Sequence, residues 1–167
     1  MMSKSIHTER LTLRPYRDED ATVVAELIGN LSVSRWLTRV PHPYTLQDAL
    51  SYFELSSGAE NVLAITLEDD VIGGCAIETE LGYWLGEPYW GKGYASEAAA
   101  ALVDRHFRTN TTTLRSGYMP GNNASARVLS KLGFEPADVQ DAECRALHTT
   151  VSLQKMRLSV ESWRARS

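Results

Sequence analysis

Residues 81–99 read LGYWLGEPYWGKGYASEAA and join an apolar segment to an alanine-rich segment through a glycine-rich turn. The apolar part, LGYWL, predicts a β-strand, and a helix is expected to begin near Ser96. Glycines stand at positions 86, 91 and 93 between them. Glycine lets the backbone approach an anion closely, and the first N–H groups of a helix have no partner within it. The stretch therefore predicts a phosphate or pyrophosphate site from Gly91 to Ser96.

Two nucleotide-binding patterns match this turn only in part. Gly86, Gly91 and Lys92 match the start of G-x-x-x-x-G-K-[ST], whose final hydroxyl binds magnesium. Gly93 stands at that final position, so the contact to the metal is missing. The dinucleotide pattern G-x-G-x-x-G would need a glycine where Ser96 stands. When the loop is considered by itself, the remaining alternative is a glycine-rich turn with a purely structural role.

Three segments carry a resemblance to one family. WGKGYA at 90–95 resembles the pyrophosphate loop of the GNAT N-acetyltransferases, Arg/Gln-x-x-Gly-x-Gly/Ala, although Trp90 stands where the family has Arg or Gln. NNASARVLSKLGF at 122–134 resembles the family's N-x-A-S-x-R-V-L-x-K-L-G-F helix. TERLTLRP at 8–15 resembles the opening strand of the RimJ/RimL-like branch, whose known members acetylate protein N-termini or small amines. The chain is identified as a member on these three matches.

The resemblance implies a single GNAT domain over residues 1–167. Its α/β fold would have a central mixed, mostly antiparallel sheet with a parallel splayed strand pair, flanked by about four helices. Periodicity predicts strands at 10–16, 62–67, 71–77, 81–85, 113–119 and 147–153. It predicts one helix capped by Asp18 or Asp20, a second capped by Thr45, and a third from Asn123 to Leu132 that ends at Gly133, besides the helix near Ser96. In the first strand, alternation directs Leu11 and Leu13 inward and Thr12 and Arg14 outward.

The composition of the chain indicates the class of protein and its expected cellular location. The chain has 43% apolar and 23% charged residues and a formal net charge of −4, which is typical of a soluble globular protein without general affinity for nucleic acid. No apolar run is long enough for a bilayer, so no membrane interaction is expected. MMSKSIHTER lacks a hydrophobic signal region, which favours the cytoplasm. Two cysteines make no disulfide framework. Both a monomer and a homodimer are compatible with the sequence.

Family membership would make acetyl-CoA the co-substrate, with no metal. Lys92 would add positive charge to the loop, or would simply be solvated. The resemblance also implies a bulged strand in which a backbone N–H near Trp84 and Leu85 polarises the thioester carbonyl. Asn122 would position the pantetheine amides, cap the helix, or do both. The loop residues that would hold the pyrophosphate are Gly91, Lys92, Gly93, Tyr94, Ala95 and Ser96.

Acetyl transfer also needs a group that takes a proton from the amine, because an alkylamine with a pKa near ~10 is mostly protonated at neutral pH. Glu80 resembles the glutamate before the family's I-G-Y-W. Strand alternation places Glu78, Glu80, Gly82 and Trp84 on one face, so Glu78 is a second candidate. Glu143 is a third, since related enzymes place acidic residues on later strands. The alternative is that these carboxylates bind substrate charge or face solvent.

The leaving thiolate needs a proton donor. By resemblance, Ser125 lies near the sulfur of the cofactor, and Tyr118 ends the preceding strand near the same groove. A hydrogen bond from Ser125 to the helix N-terminus is the structural alternative. The family builds its acceptor pocket from the early helices, which makes Trp36 and Tyr44 candidate substrate-binding residues. Glu78 is a candidate substrate-binding residue as a contact for substrate charge. Core packing is an equally good explanation of the two aromatic residues.

The functional expectation is transfer of acetyl from acetyl-CoA to a primary amine by direct attack. The amine would be a protein N-terminus or a small molecule, and the sequence does not choose between them. A non-catalytic acyl-CoA-binding protein of the same fold is the alternative.

Overall fold

The computed structural model describes residues 4–166 and contains two antiparallel sheets. The first sheet has five strands in the order β1-β2-β3-β4-β5, and the second has three in the order β6-β8-β7. The strands of the first sheet are β1 Ile6–His7, β2 Thr12–Arg14, β3 Val62–Leu67, β4 Asp70–Ile77 and β5 Leu81–Leu85. Those of the second are β6 Leu114–Tyr118, β7 Glu135–Cys144 and β8 Thr149–Leu158.

The helices lie on both faces of the first sheet. They are α1 Ala21–Ile28, α2 Leu31–Ser34, α3 Leu46–Leu55, α4 Tyr94–Thr109, α5 Asn123–Leu132 and α6 Val160–Ala165. Short 3₁₀ turns at Asp18–Asp20 and Glu87–Tyr89 precede α1 and α4. Local sequence signals explain where some of these helices begin and end. Thr45 and Asp48 form a capping box at the start of α3, and Gly133 ends α5 with a φ of 98°.

Strand alternation divides the core between the two faces. Leu63 and Ile65 of β3 point to the side of α4 and α5, in a cluster that also includes Leu114 and Leu158 of the second sheet. Ala64, between them, points to the opposite side, where α1 and α3 pack. The two sheets therefore share one core on the α4 side.

The meeting of β5 and β6 is the feature of the fold that positions the site. Within residues 4–166 these neighbouring strands belong to different sheets and form no ladder. The Ser116 hydroxyl of β6 donates to the carbonyl oxygen of Leu81 at 2.8 Å. The strands are thus joined beside the first residue of β5, and the edge of β5 towards Leu85 has no strand partner on that side.

The structure corrects the outward placement of Arg14. Its side chain is buried and forms a two-pronged ion pair with Asp20, with N–O distances of 2.8 and 2.9 Å. Asp20 also accepts from the backbone N–H of Arg17 at 2.8 Å, and its side chain does not cap α1. Arg14 does lie on the face opposite Leu13, beside Ala64, but α1 and α3 cover that face, and Asp20 satisfies the charge of Arg14 there.

Five further elements differ from the sequence expectations. Helix α4 begins at Tyr94, ahead of the predicted start near Ser96. Strand β8 extends to Leu158, and its partner β7 was not predicted at all. The residues of β7 are exposed on both faces along most of its length, so EPADVQDAEC carries no alternating hydrophobic signal. Helices α2 and α6 are short and were also missed.

Candidate active site

The glycine-rich turn lies between β5 and α4, as the sequence predicted. Gly91 and Gly93 have φ angles of 75° and 83°, a left-handed conformation that glycine adopts without strain. Gly91, Lys92 and Gly93 are all exposed. Gly93 is the N-cap of α4 and provides no side-chain cap, so the first N–H groups of a 16-residue helix are open to an anion. Tyr94, Ala95 and Ser96 make up the first turn of that helix.

Trp90 explains the departure from the Arg/Gln position of the motif. Its indole Nε1 donates to the carbonyl oxygen of Leu85 at 2.9 Å, while 42% of the residue remains exposed. The side chain therefore fastens the start of the glycine loop to the end of β5.

The register of β5 decides which of its backbone groups face the gap towards β6. Gly86 donates its N–H to Ile72 of β4 at 2.8 Å, and Gly74 lies opposite Trp84. Because backbone groups alternate along an antiparallel strand, the N–H of Trp84 points to β4 and that of Leu85 points away from it. The Leu81 carbonyl, which accepts a hydrogen bond from Ser116, also points away from β4, as the same alternation requires.

Two expectations about β5 are therefore wrong. Its pairing with β4 is regular from Leu81 to Leu85, so the strand has no bulge in this ladder. Trp84 does not offer its N–H to the gap, and its side chain packs with Tyr16 and Tyr44 on the side of α1 and α3. Leu85 retains the geometry expected of a carbonyl-polarising N–H.

Ser125 faces β5 across the gap between the sheets. The hydroxyl oxygen of Tyr83 lies 2.8 Å from Ser125 Oγ, in a hydrogen bond that either group can donate. Burial raises the pKa of Tyr83 to about 12, against the opposing effect of its hydrogen bond with Ser125, so its hydroxyl stays protonated at neutral pH. Sequence analysis missed Tyr83, although it lies inside the GYW signature.

Tyr118 and Asn122 both precede Ser125 by a few residues in the chain. The side-chain oxygen of Asn122 accepts from the backbone N–H of Ser125 at 3.2 Å, which makes Asn122 the N-cap of α5. This cap orients the first turn of α5. Tyr118 is half-buried at the end of β6, opposite Gln154, and packs against the core on the α4 side.

Glu80 is held by a lysine that the sequence did not single out. Lys155 Nζ lies 2.6 Å from Glu80 Oε1, and the two side chains are 7% and 36% exposed, respectively. Lys155 passes over Gly117, where a Cβ would come within 3.3 Å of its Cδ. The ion pair joins the β4–β5 connection to β8, so the carboxylate has a fixed position and a permanent cationic neighbour.

The other two carboxylates are less constrained. Residues 78–80 form the connection between β4 and β5 rather than a strand, so the alternation that would align Glu78 with Glu80 does not extend through them. Glu78 is exposed; burial raises the pKa of the nearby Tyr52 to about 12, and the charge of Glu78 contributes to that rise. Glu143 is exposed on β7, opposite Thr150.

The two candidate acceptor-pocket aromatics belong to different clusters. Tyr44 packs with α1 and α3, and burial, followed by the charge of Asp48, raises its pKa to about 12. Trp36 packs beside Met119, and its ring lies 3.8 Å from the Cβ position at Gly121, next to the start of α5. Only Trp36 is thus placed beside the segment that carries Ser125.

Comparison with known proteins establishes the family of this chain. The family model "Acetyltransferase (GNAT) domain" matches residues 10–135. The chain belongs to the GNAT acetyltransferase family. It is 31% identical over 147 residues to the uncharacterized N-acetyltransferase p20 of Bacillus licheniformis, with 79% of this chain and 83% of that protein covered.

Two further GNAT relatives carry more specific descriptions. The [ribosomal protein uS5]-alanine N-acetyltransferase of Escherichia coli is 27% identical over 148 residues, covering 77% of this chain and 76% of that protein. The structure of RimL, the ribosomal L7/L12 α-N-protein acetyltransferase in complex with coenzyme A, superposes with a TM-score of 0.77 at 18% identity, covering 95% of this chain and 99% of that one. The resemblance to the RimJ/RimL-like branch and the expected fold class are confirmed.

Residues 4–166 of this GNAT chain contain no group of three or more His, Cys, Asp or Glu side chains arranged to hold a metal ion. None of their helices combines the length and apolar character needed to cross a bilayer.

Proposed function

We propose that the protein is an acetyl-CoA-dependent N-acetyltransferase that acts on a primary amine by direct attack. The observation that carries this proposal is that β5, whose Tyr83 contacts Ser125, leads through the glycine turn to the uncapped start of α4 at Gly93. A phosphate-bearing thioester donor needs an anion site and a nearby proton donor, and this arrangement supports both roles.

The residues present fit coenzyme A. A pyrophosphate would be held by the backbone N–H groups from Gly91 to Ser96, where exposed glycines leave room for it. Bound acetyl-CoA supplies an activated acetyl thioester. The Leu85 N–H faces the gap where the carbonyl would lie, and a backbone donor aimed at that oxygen stabilises the negative charge that develops on it.

Glu80 is proposed to accept the proton that the amine loses, directly or through water. Its carboxylate is fixed by Lys155 and lies in the connection that leads into β5, beside the place where Ser116 joins β6 to Leu81. Glu78 and Glu143 remain alternatives, but both side chains are exposed. Ser125 is proposed to donate the proton to the departing sulfur, with Tyr83 as its hydrogen-bond partner.

The amine that breaks the C–S bond forms the new N–C bond itself, so no acyl-enzyme is required. Cys75 and Cys144 are both buried, and burial raises the pKa of Cys75 to about 12, which keeps its thiol protonated and unreactive. A protein N-terminus is the favoured acceptor, because two of the similar proteins are described as a ribosomal protein uS5-alanine N-acetyltransferase and a ribosomal L7/L12 α-N-protein acetyltransferase. The net charge of −4 also suits a cationic acceptor.

The test combines binding with turnover. Isothermal titration should show binding of coenzyme A, and a panel of N-terminal peptides and small amines should yield acetylated product that mass spectrometry detects, with release of free thiol. Binding without turnover of any amine would instead favour the non-catalytic acyl-CoA-binding protein. Failure to bind coenzyme A would overturn the proposal.

A further inference from the structure

The N-terminal segment TERLTLRP returns to the beginning of α4, far away in sequence. Arg10 Nε donates to Glu97 Oε1 at 2.8 Å, and its backbone N–H donates to Glu97 Oε2 at 2.9 Å. The Thr8 hydroxyl donates to the same Oε2 at 2.6 Å. Glu97 lies in the first turn of α4, so the segment before β2 is attached to the candidate pyrophosphate site.

Arg10 also contacts the glycine loop directly. Its Nη1 donates to the carbonyl oxygen of Lys92 at 3.0 Å, and its guanidinium lies 4.5 Å from the centroid of the Tyr94 ring. A Cβ at Gly93 would come within 3.4 Å of its Nη2. One guanidinium therefore contacts Lys92 and Tyr94 and lies next to Gly93 between them.

The charges of Glu97 and Arg10 affect how strongly the loop would bind an anion. A carboxylate in the first turn of α4 would repel a pyrophosphate bound there. Burial acts to raise the pKa of Glu97, but hydrogen bonds from Thr8 and Arg10 outweigh it and lower the pKa, so Glu97 is ionised. Arg10 balances that negative charge at the point where the backbone N–H groups open to solvent.

We infer that Arg10 is a positioning residue of the pyrophosphate cradle, which holds residues 92–94 in their anion-binding conformation and offsets the charge of Glu97. This inference rests on the proposed function, because it assumes that the cradle binds coenzyme A. A guanidinium suits the task, since its fork engages a carboxylate and a carbonyl at once, which the single ammonium of lysine does not reproduce.

The test compares two ligands that differ in the pyrophosphate. Coenzyme A carries it, whereas S-acetylpantetheine lacks it, and the dissociation constants of both are measured by isothermal titration. Arg10→Gln is expected to weaken coenzyme A binding about tenfold or more, the usual effect of losing a hydrogen bond to a charged group. Binding of S-acetylpantetheine should change less than twofold, and Arg10→Lys should recover only part of the coenzyme A affinity.

Arg108→Gln is the matched control, because Arg108 forms an exposed ion pair with Asp104 on the same helix without touching the loop. It should leave both affinities unchanged. Equal weakening of both ligands by Arg10→Gln, or wild-type affinity for coenzyme A, would overturn the inference. Failure of the wild-type protein itself to bind coenzyme A would instead overturn the proposed function on which the inference rests.

Discussion

The Tyr83 hydroxyl lies 2.8 Å from Ser125 Oγ and connects β5 to the first turn of α5 across the gap between the two sheets. The hydrogen bond gives Ser125 a protonated neighbour, because burial raises the pKa of Tyr83 to about 12. If Ser125 donates a proton to the leaving thiolate, as proposed, Tyr83 is placed to replace that proton. This relationship makes separate predictions for the two hydroxyls.

Ser125→Ala should lower kcat by about 10²-fold, the usual scale for loss of a general acid. Tyr83→Phe should lower it by a smaller factor, because the donor remains and only its partner is lost. Alkaline pH should rescue neither variant, since hydroxide does not supply the missing proton. Steady-state kinetics with a peptide or amine that the wild-type protein acetylates measures kcat of both variants. Full activity of Ser125→Ala would transfer the role to Tyr118 or to solvent.

Glu80→Gln should lower kcat by about 10²-fold at neutral pH if Glu80 takes the amine proton. The deficit should shrink as the pH approaches the pKa of the amine, because neutral amine then needs no base. Glu78→Gln is the matched control in the same connection and should retain most activity. The measurement is a pH–rate profile of the wild type, Glu80→Gln and Glu78→Gln. An effect of Glu80→Gln on KM alone would show that Glu80 binds substrate charge and does not act as the base.

Lys155→Met should reduce kcat with Glu80 still present, because it removes the ammonium that fixes the carboxylate at 2.6 Å. The magnitude should stay below that of Glu80→Gln, since the base itself remains. The measurement is kcat alongside thermal unfolding, so that a loss of fold is separated from a loss of position. Wild-type kcat in a folded Lys155→Met variant would show that the ion pair has no catalytic consequence.

Gly93→Val should abolish coenzyme A binding. The φ of 83° is strained for a β-branched residue, and the new side chain would occupy the cradle. Gly58→Val imposes the same kind of strain, at a φ of 84°, in the turn between α3 and β3. This control should lose stability but keep its affinity for coenzyme A. Near wild-type affinity in folded Gly93→Val would place the cofactor elsewhere.

Asp20→Asn should destabilise the protein by about 3–5 kcal/mol, because it leaves the Arg14 charge buried without its partner. Burial acts to raise the pKa of Asp20, but hydrogen bonds from Arg14 and Arg17 outweigh it and lower the pKa. The ion pair therefore stabilises the fold above the unfolded pKa of about 3.9, and this stability is lost as the pH falls through the lower folded value.

Urea unfolding of the wild type and Asp20→Asn between pH 3 and 7 measures this difference. Asp138→Asn is the control, since the Arg115–Asp138 pair is exposed and its loss should have a much smaller effect. An Asp20→Asn variant as stable as the wild type at pH 7 would contradict the prediction.

The features that the sequence determined by itself are those whose signals lie within a few residues of one another. The glycine turn leading into α4, the Thr45 cap, the Asn122 cap and Gly133 at the end of α5 were all predicted at or near their observed positions. Each depends on backbone hydrogen bonds and torsion angles between near neighbours in the chain. Together with the motif resemblance, they were enough to predict the family and the location of the cofactor loop.

Only the tertiary structure decided which side chains meet across the fold. Arg10 reaches Glu97, Tyr83 reaches Ser125, and Lys155 reaches Glu80 over separations of 87, 42 and 75 residues. Such pairs depend on how strands and helices pack, and no local periodicity encodes them. The same reason explains the buried Arg14, because a charge enters the interior wherever packing brings a partner to it.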